Sequence, residues 1–140
     1  MKQAIHFITI GVQNLEVMKT FYKEVFGWEQ SNEDEGIAFF KVNGFILALF
    51  PVDELIKDIG ENGLTAPKGF KGLTASINFR SEEEVDLEFK NLISKGAVPI
   101  KNPHKVFWGG YSGYIADIEN NYWELAFNPF IEISEDGKIA

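Results

Sequence analysis

Residues 5–12, Ile-His-Phe-Ile-Thr-Ile-Gly-Val, alternate in character along the chain. Ile8, Ile10 and Val12 share one face and Phe7, Thr9 and Gly11 the other, which predicts a strand with an aliphatic core side. Asn14 is placed to cap a helix in which Val17, Phe21 and Val25 form an i, i+4, i+8 stripe. Gly27 stands where the C-terminus of that helix needs a left-handed residue. Residues 37–42 and 45–50 read as paired strands around Asn43-Gly44, a strong hairpin signal.

The second half repeats the order. Over 73–79, Leu73, Ala75, Ile77 and Phe79 face one way and Thr74, Ser76 and Asn78 the other. Ser81-Glu-Glu-Glu84 reads as a capping box, and Val85, Phe89 and Leu92 carry the apolar stripe of the helix that Gly96 closes. Strands are predicted at about 98–101, 111–117 and 122–127. The internal repeat predicts an α+β fold of two tandem βαβββ modules, about 4–52 and 72–129. Between them lie a short helix over 54–59 and a Gly/Pro-containing linker, 53–71 in all. The tail, 130–140, is expected to form a small hairpin around Asp136-Gly137.

Composition narrows the function classes. A chain of 140 residues with 45% apolar content supports one domain. No apolar run reaches the length of a membrane span. The start, Met-Lys-Gln-Ala-Ile-His-Phe-Ile, lacks a signal peptide's apolar stretch and cleavage site, so the expected compartment is the cytoplasm. The absence of cysteine excludes disulfides, thiolate zinc sites and a Cys nucleophile. A net charge of −8 argues against nucleic acid or an anionic membrane as partner. The 13 Phe, 4 Tyr and 3 Trp exceed what a small core needs. They line a pocket, or they serve core and interface.

The chemistry concentrates near the end of the chain. Trp108-Gly-Gly-Tyr-Ser-Gly-Tyr-Ile-Ala-Asp117 and Tyr122-Trp-Glu-Leu-Ala-Phe-Asn-Pro129 read as two strands joined by a tight turn. Glu124 interrupts an otherwise apolar strand, and a carboxylate there needs a metal, a cation or a polar partner. In the turn, Asp117-Ile-Glu-Asn120, Asn120 is expected to supply the left-handed residue. Gly109, Gly110 and Gly113 lack the strand-turn-helix context of a phosphate loop and are expected to permit a bend or bulge. Glu82, Glu83 and Glu84 favour the positive end of their helix and imply no acidic site.

These segments, with Thr9-Ile-Gly-Val-Gln-Asn-Leu and Phe21-Tyr-Lys-Glu-Val-Phe-Gly-Trp, resemble the vicinal-oxygen-chelate superfamily of glyoxalases, extradiol dioxygenases and bleomycin- and fosfomycin-resistance proteins. The resemblance implies curved mixed sheets enclosing a groove, and a homodimer. In the family's metalloenzymes four groove positions supply ligands. On this chain they fall at Phe7, Ala48, Thr74 and Glu124, and only Glu124 carries a metal-binding side chain. Metal sites need three or four donors, so the expected metal ligands are none and the expected cofactor is none. Alternation puts His6 on the face away from Phe7, and the register slip needed to bring it round would expose the aliphatic face. His104 is expected in a loop before Trp108, over the groove mouth. A divalent metal held by Glu124, His104 and water or a partner subunit stays open as the alternative.

The resemblance also implies a ligand-binding lining of Phe7, Thr9, Ala48, Thr74, Ser76, Trp108, Tyr111, Tyr114 and Glu124. Aromatic walls, small hydroxyls and one acid suit a small aromatic or apolar molecule with a cationic or hydrogen-donating group. Trp123 is expected to face the helices with Leu125 and Phe127. Glu124 is either a relic, hydrogen-bonded to Thr74 or Tyr114, or the catalytic acid/base of a glyoxalase-like lyase or isomerase. Apolar walls around it would raise its pKa. The expected function is therefore metal-independent small-molecule binding of the bleomycin-resistance type. An enzyme using Glu124 and a structural dimer with an empty groove are the rivals.

Overall fold

The first strand, β1 (Phe7–Val12), runs into Asn14, whose side-chain oxygen accepts the Val17 N–H at 3.1 Å and starts α1 (Leu15–Glu24). The computed structural model describes all 140 residues. Backbone contacts divide the chain into two compact units, Met1–Gly69 and Phe70–Ala140.

In the first unit α1 buries Leu15, Met18, Phe21 and Tyr22, with Val25 just beyond its end. Val17, expected in that stripe, is exposed. At 3.6 residues per turn it lies about 40° round the helix from Phe21, outside the buried arc. Gly27 adopts φ +70°, and Trp28 N–H reaches back to the Tyr22 carbonyl at 3.1 Å. β2 (Ala38–Val42) and β3 (Phe45–Pro51) form the predicted hairpin, with Gly44 at φ +96° in its turn. The sheet order is β1-β3-β2, with β1 parallel and β2 antiparallel to β3.

The fourth strand position of this module is reduced to one bridge, Gln30 to Phe40. Asn32 explains why. Its side chain accepts the Phe39 N–H at 2.8 Å and donates to the Ile37 carbonyl at 2.9 Å, occupying backbone groups that a neighbouring strand would use. α2 (Val52–Ile59) follows β3 directly, earlier than the sequence pattern predicts, and ends at Gly60 with φ +74°. It packs against β1 where a Cβ on Gly11 would stand 3.1 Å from Val52 Cγ2.

The second unit is a four-stranded mixed sheet, β4 (Thr74–Phe79), β7 (Tyr122–Phe127), β6 (Tyr111–Ala116) and β5 (Val98–Lys105), in that order. β4 is parallel to β7 and the other pairs are antiparallel. The parallel pair is bridged by α3 (Glu82–Lys95), which lays Val85, Phe89 and Leu92 on the sheet as their spacing predicts. Ser81 caps α3 by accepting the Glu84 N–H at 3.2 Å. The return bond of the capping box goes one residue further back, from Arg80 N–H to Glu84 at 2.9 Å.

β5 extends four residues beyond its predicted end and its register to β6 shifts on both sides of Lys101. A Cβ on Gly113 would stand 2.7 Å from the Lys101 carbonyl oxygen and from Pro103 N, so glycine lets the irregular strand close on β6. Between β6 and β7, Asn120 takes φ +62°. The buried Asp117 carboxylate accepts the Glu119 N–H, the Asn121 N–H and the Asn121 side-chain amide at 2.9, 2.9 and 2.7 Å. In the tail, Ile133 bridges Ile139 and Gly137 stands at φ +78°.

Candidate functional site

Strand register sorts the second sheet into two faces. Ala75, Trp123 and Ile115 stand in one cross-strand row and Ile77, Leu125 and Gly113 in the next, on the side that α3 covers. The other face carries Thr74-Tyr122-Ala116, then Ser76-Glu124-Tyr114-Lys101, then Asn78-Ala126-Ser112-His104. Glu124 is thus the centre of a polar surface, flanked by a hydroxyl on each neighbouring strand.

Those hydroxyls hold it. Ser76 Oγ donates to Glu124 Oε1 at 2.9 Å and Tyr114 OH donates to Oε2 at 3.2 Å. Asn78 Nδ2 donates to Ser76 Oγ at 3.3 Å, which leaves the serine proton directed at the acid. Glu124 is half-buried. Burial, then the Glu124 charge and the hydrogen bond to it, raise the Tyr114 pKa above its ordinary value. A carboxylate offers about four lone-pair directions, so two remain for a further donor.

The predicted lining separates into groups. Ser76, Tyr114 and Glu124 meet. Thr74 shares their face one row away and is exposed, and it makes no bond to Glu124; the partner is Ser76 instead. Tyr111 is a correction. It lies on the α3 side, where its hydroxyl donates to Asp86 at 2.7 Å. Strands alternate, so Tyr111 and Tyr114, three apart, cannot share a face. Trp108 sits in the turn between β5 and β6, over Gly110: a Cβ there would be 2.0 Å from its ring carbons. Phe7, Thr9 and Ala48 belong to the first unit, where Thr9 pairs with Ala48 and Phe7 meets Phe39 edge-on at 5.4 Å.

His104 is a second correction, because it lies within β5 and not in a loop. It pairs with Ser112 on the Glu124 face, its Nδ1 3.1 Å from the Asn102 carbonyl. Asn78 and Tyr122 complete this face and were missed as site residues, although their even spacing from Ser76 and Glu124 marks them. Nowhere do three or more His, Asp or Glu side chains gather in a way that would hold a metal ion. Phenylalanine and alanine at two of the implied ligand positions offer no donor, so the residues present do not fit the family's metal.

The chain belongs to the Glyoxalase/Bleomycin resistance protein/Dioxygenase superfamily, whose model matches residues 4–125. A glyoxalase-related enzyme from Fulvimarina pelagi is 32% identical, over 99% of this chain and 98% of that one, with a TM-score of 0.87. A superfamily enzyme from Burkholderia phytofirmans PsJN shares the fold at 19% identity and TM-score 0.78, over 89% of this chain and 98% of that one. Lactoylglutathione lyase from Agrobacterium tumefaciens shares it at 24% identity and TM-score 0.66, over 93% and 97%. No curated protein matches the chain. No helix is long and apolar enough to cross a membrane.

Proposed function

We propose that the chain is a metal-independent small-molecule binding protein whose ligand contacts the Glu124 face of the four-stranded sheet. The supporting observation is the carboxylate itself: oriented from both sides by neutral hydroxyls, half-buried, and away from any cluster of metal donors. Such a group anchors a polar atom of a ligand while the tyrosines beside it contact an aromatic or apolar body. In keeping with the family resemblance, we propose that the protein is a homodimer, which sedimentation equilibrium would check.

The deciding experiment is the metal content of protein purified without chelator, followed by nickel, zinc and manganese titration of wild type and Glu124→Ala. Stoichiometric metal that disappears in the variant overturns the metal-independent reading. No metal in either protein, together with ligands found by thermal-shift screening, supports it. The second reading is a glyoxalase-like enzyme with Glu124 as acid/base, and it is favoured by the 32% identity to a glyoxalase-related enzyme. Lactoylglutathione lyase turnover by wild type, abolished in Glu124→Gln, would select that reading.

A further inference from the structure

We propose that the ligand of the Glu124 face is an organic ammonium: an aromatic or apolar body whose protonated amine sits on the carboxylate. This rests on the binding reading above and specifies the ligand's chemistry. Every hydrogen bond of the local chain runs toward the acid, from Asn78 to Ser76 to Glu124 on one side and from Tyr114 on the other. No lysine, arginine or histidine pairs with it. The two donors are neutral, and neutral hydroxyls leave the charge of a partly buried carboxylate uncompensated. A cationic N–H in an open lone-pair direction compensates it and makes the stronger, charge-assisted bond.

The surroundings favour a cation over other donors. Tyr114 stands directly across from Glu124, and Tyr122 lies two residues along the same strand and face. Phe70 meets Tyr122 edge-on, with ring centroids 5.9 Å apart. Aromatic faces beside a carboxylate stabilise an ammonium twice, through its charge and through the ring quadrupoles. An anionic ligand would meet the acid and a chain of net charge −8. Lys101 ends the Glu124 row beyond Tyr114. A ligand extending across Tyr114 therefore carries no second cation at that end.

The test uses three probes of one shape on the full chain: phenethylamine, phenethyl alcohol and phenylacetate. Binding is read from amide shifts of Ser76, Tyr114 and Glu124 in two-dimensional NMR and from titration calorimetry. The expected result is that phenethylamine binds at least about tenfold more tightly than the other two. That advantage should vanish in Glu124→Gln, persist in Tyr111→Phe on the opposite face, and shrink as salt rises. Retained melting temperature and amide dispersion establish that Glu124→Gln still folds. Equal binding of the alcohol, or an amine preference surviving in Glu124→Gln, overturns the ammonium assignment and leaves the binding reading standing. If no probe shifts those three amides at millimolar concentration, both fall.

Discussion

Replacing Gly113 by alanine tests whether the irregularity of β5 depends on a missing side chain. The added Cβ would lie 2.7 Å from the Lys101 carbonyl oxygen, 2.7 Å from Pro103 N and 3.0 Å from Pro103 Cα, where ordinary contacts begin at 3.4 Å. All three are backbone atoms, so no side chain can swing away, and β5 must retreat by about 0.7 Å. Gly113 does not occupy positive φ, so alanine adds no backbone strain and the steric cost acts alone. Overpacking of this kind costs about 2 kcal/mol. The smaller entropy of the unfolded alanine chain returns about 0.5–1 kcal/mol of that. The remaining loss, about 1–1.5 kcal/mol, lowers the melting temperature by about 3–5 °C in a chain of this length. Thermal unfolding followed by circular dichroism measures it. Because Tyr114 follows Gly113 in β6, its amide should also shift in the folded variant. A Gly113→Ala protein that melts within about 1 °C of wild type would show that β5 does not press on this position.

Asp117→Ala should cost about 3 kcal/mol in urea unfolding, because three N–H donors lose one buried acceptor; an unchanged midpoint would refute its role in the turn. Asn120 at φ +62° predicts that Asn120→Val loses about 1–2 kcal/mol while Asn120→Gly is neutral or slightly stabilising; equal stability of the two variants would contradict it. The hydrogen bond to Asp86, with burial and the charges of Asp86, Glu82 and Glu83, pushes the Tyr111 pKa up to about 12. Tyr114 shifts in the same direction. Unfolded tyrosines ionise near 10 and so lose protons before the folded ones, which makes stability fall as pH rises from about 10 to 12. The double variant Tyr111→Phe/Tyr114→Phe should flatten that fall in pH-dependent urea unfolding, and an unchanged slope would exclude these two groups as its source.

Local regularities were legible in the chain because their causes lie within a few residues. The Asn14 and Ser81 caps, the Asn43-Gly44 hairpin, the left-handed Asn120 and the stripe of Val85, Phe89 and Leu92 each depend on backbone geometry over one or two turns. Val17 shows the limit of that reading. Its spacing from Phe21 suits a helix face, yet the width of the buried arc depends on what the helix packs against. Tyr111 was also legible, since alternation with Tyr114 already separates them. The missing strand around Gln30 was not, because Asn32 competes for the backbone only once the chain has turned back on it.

The sequence by itself determined the two-module order, the caps and turns, and Glu124 as the polar intruder in an apolar strand. Tertiary structure alone decided what stands beside that acid. Ser76 and Glu124 are 48 residues apart and meet through a parallel register that α3 must bridge. Shifting that register by two residues would keep every face intact yet place Thr74 or Asn78 opposite the carboxylate. His104 reaches the same face only because β5 runs on past its expected end, through shifts that Gly113 permits. Alternation is a property of one strand, whereas neighbours across strands follow from how the whole sheet packs.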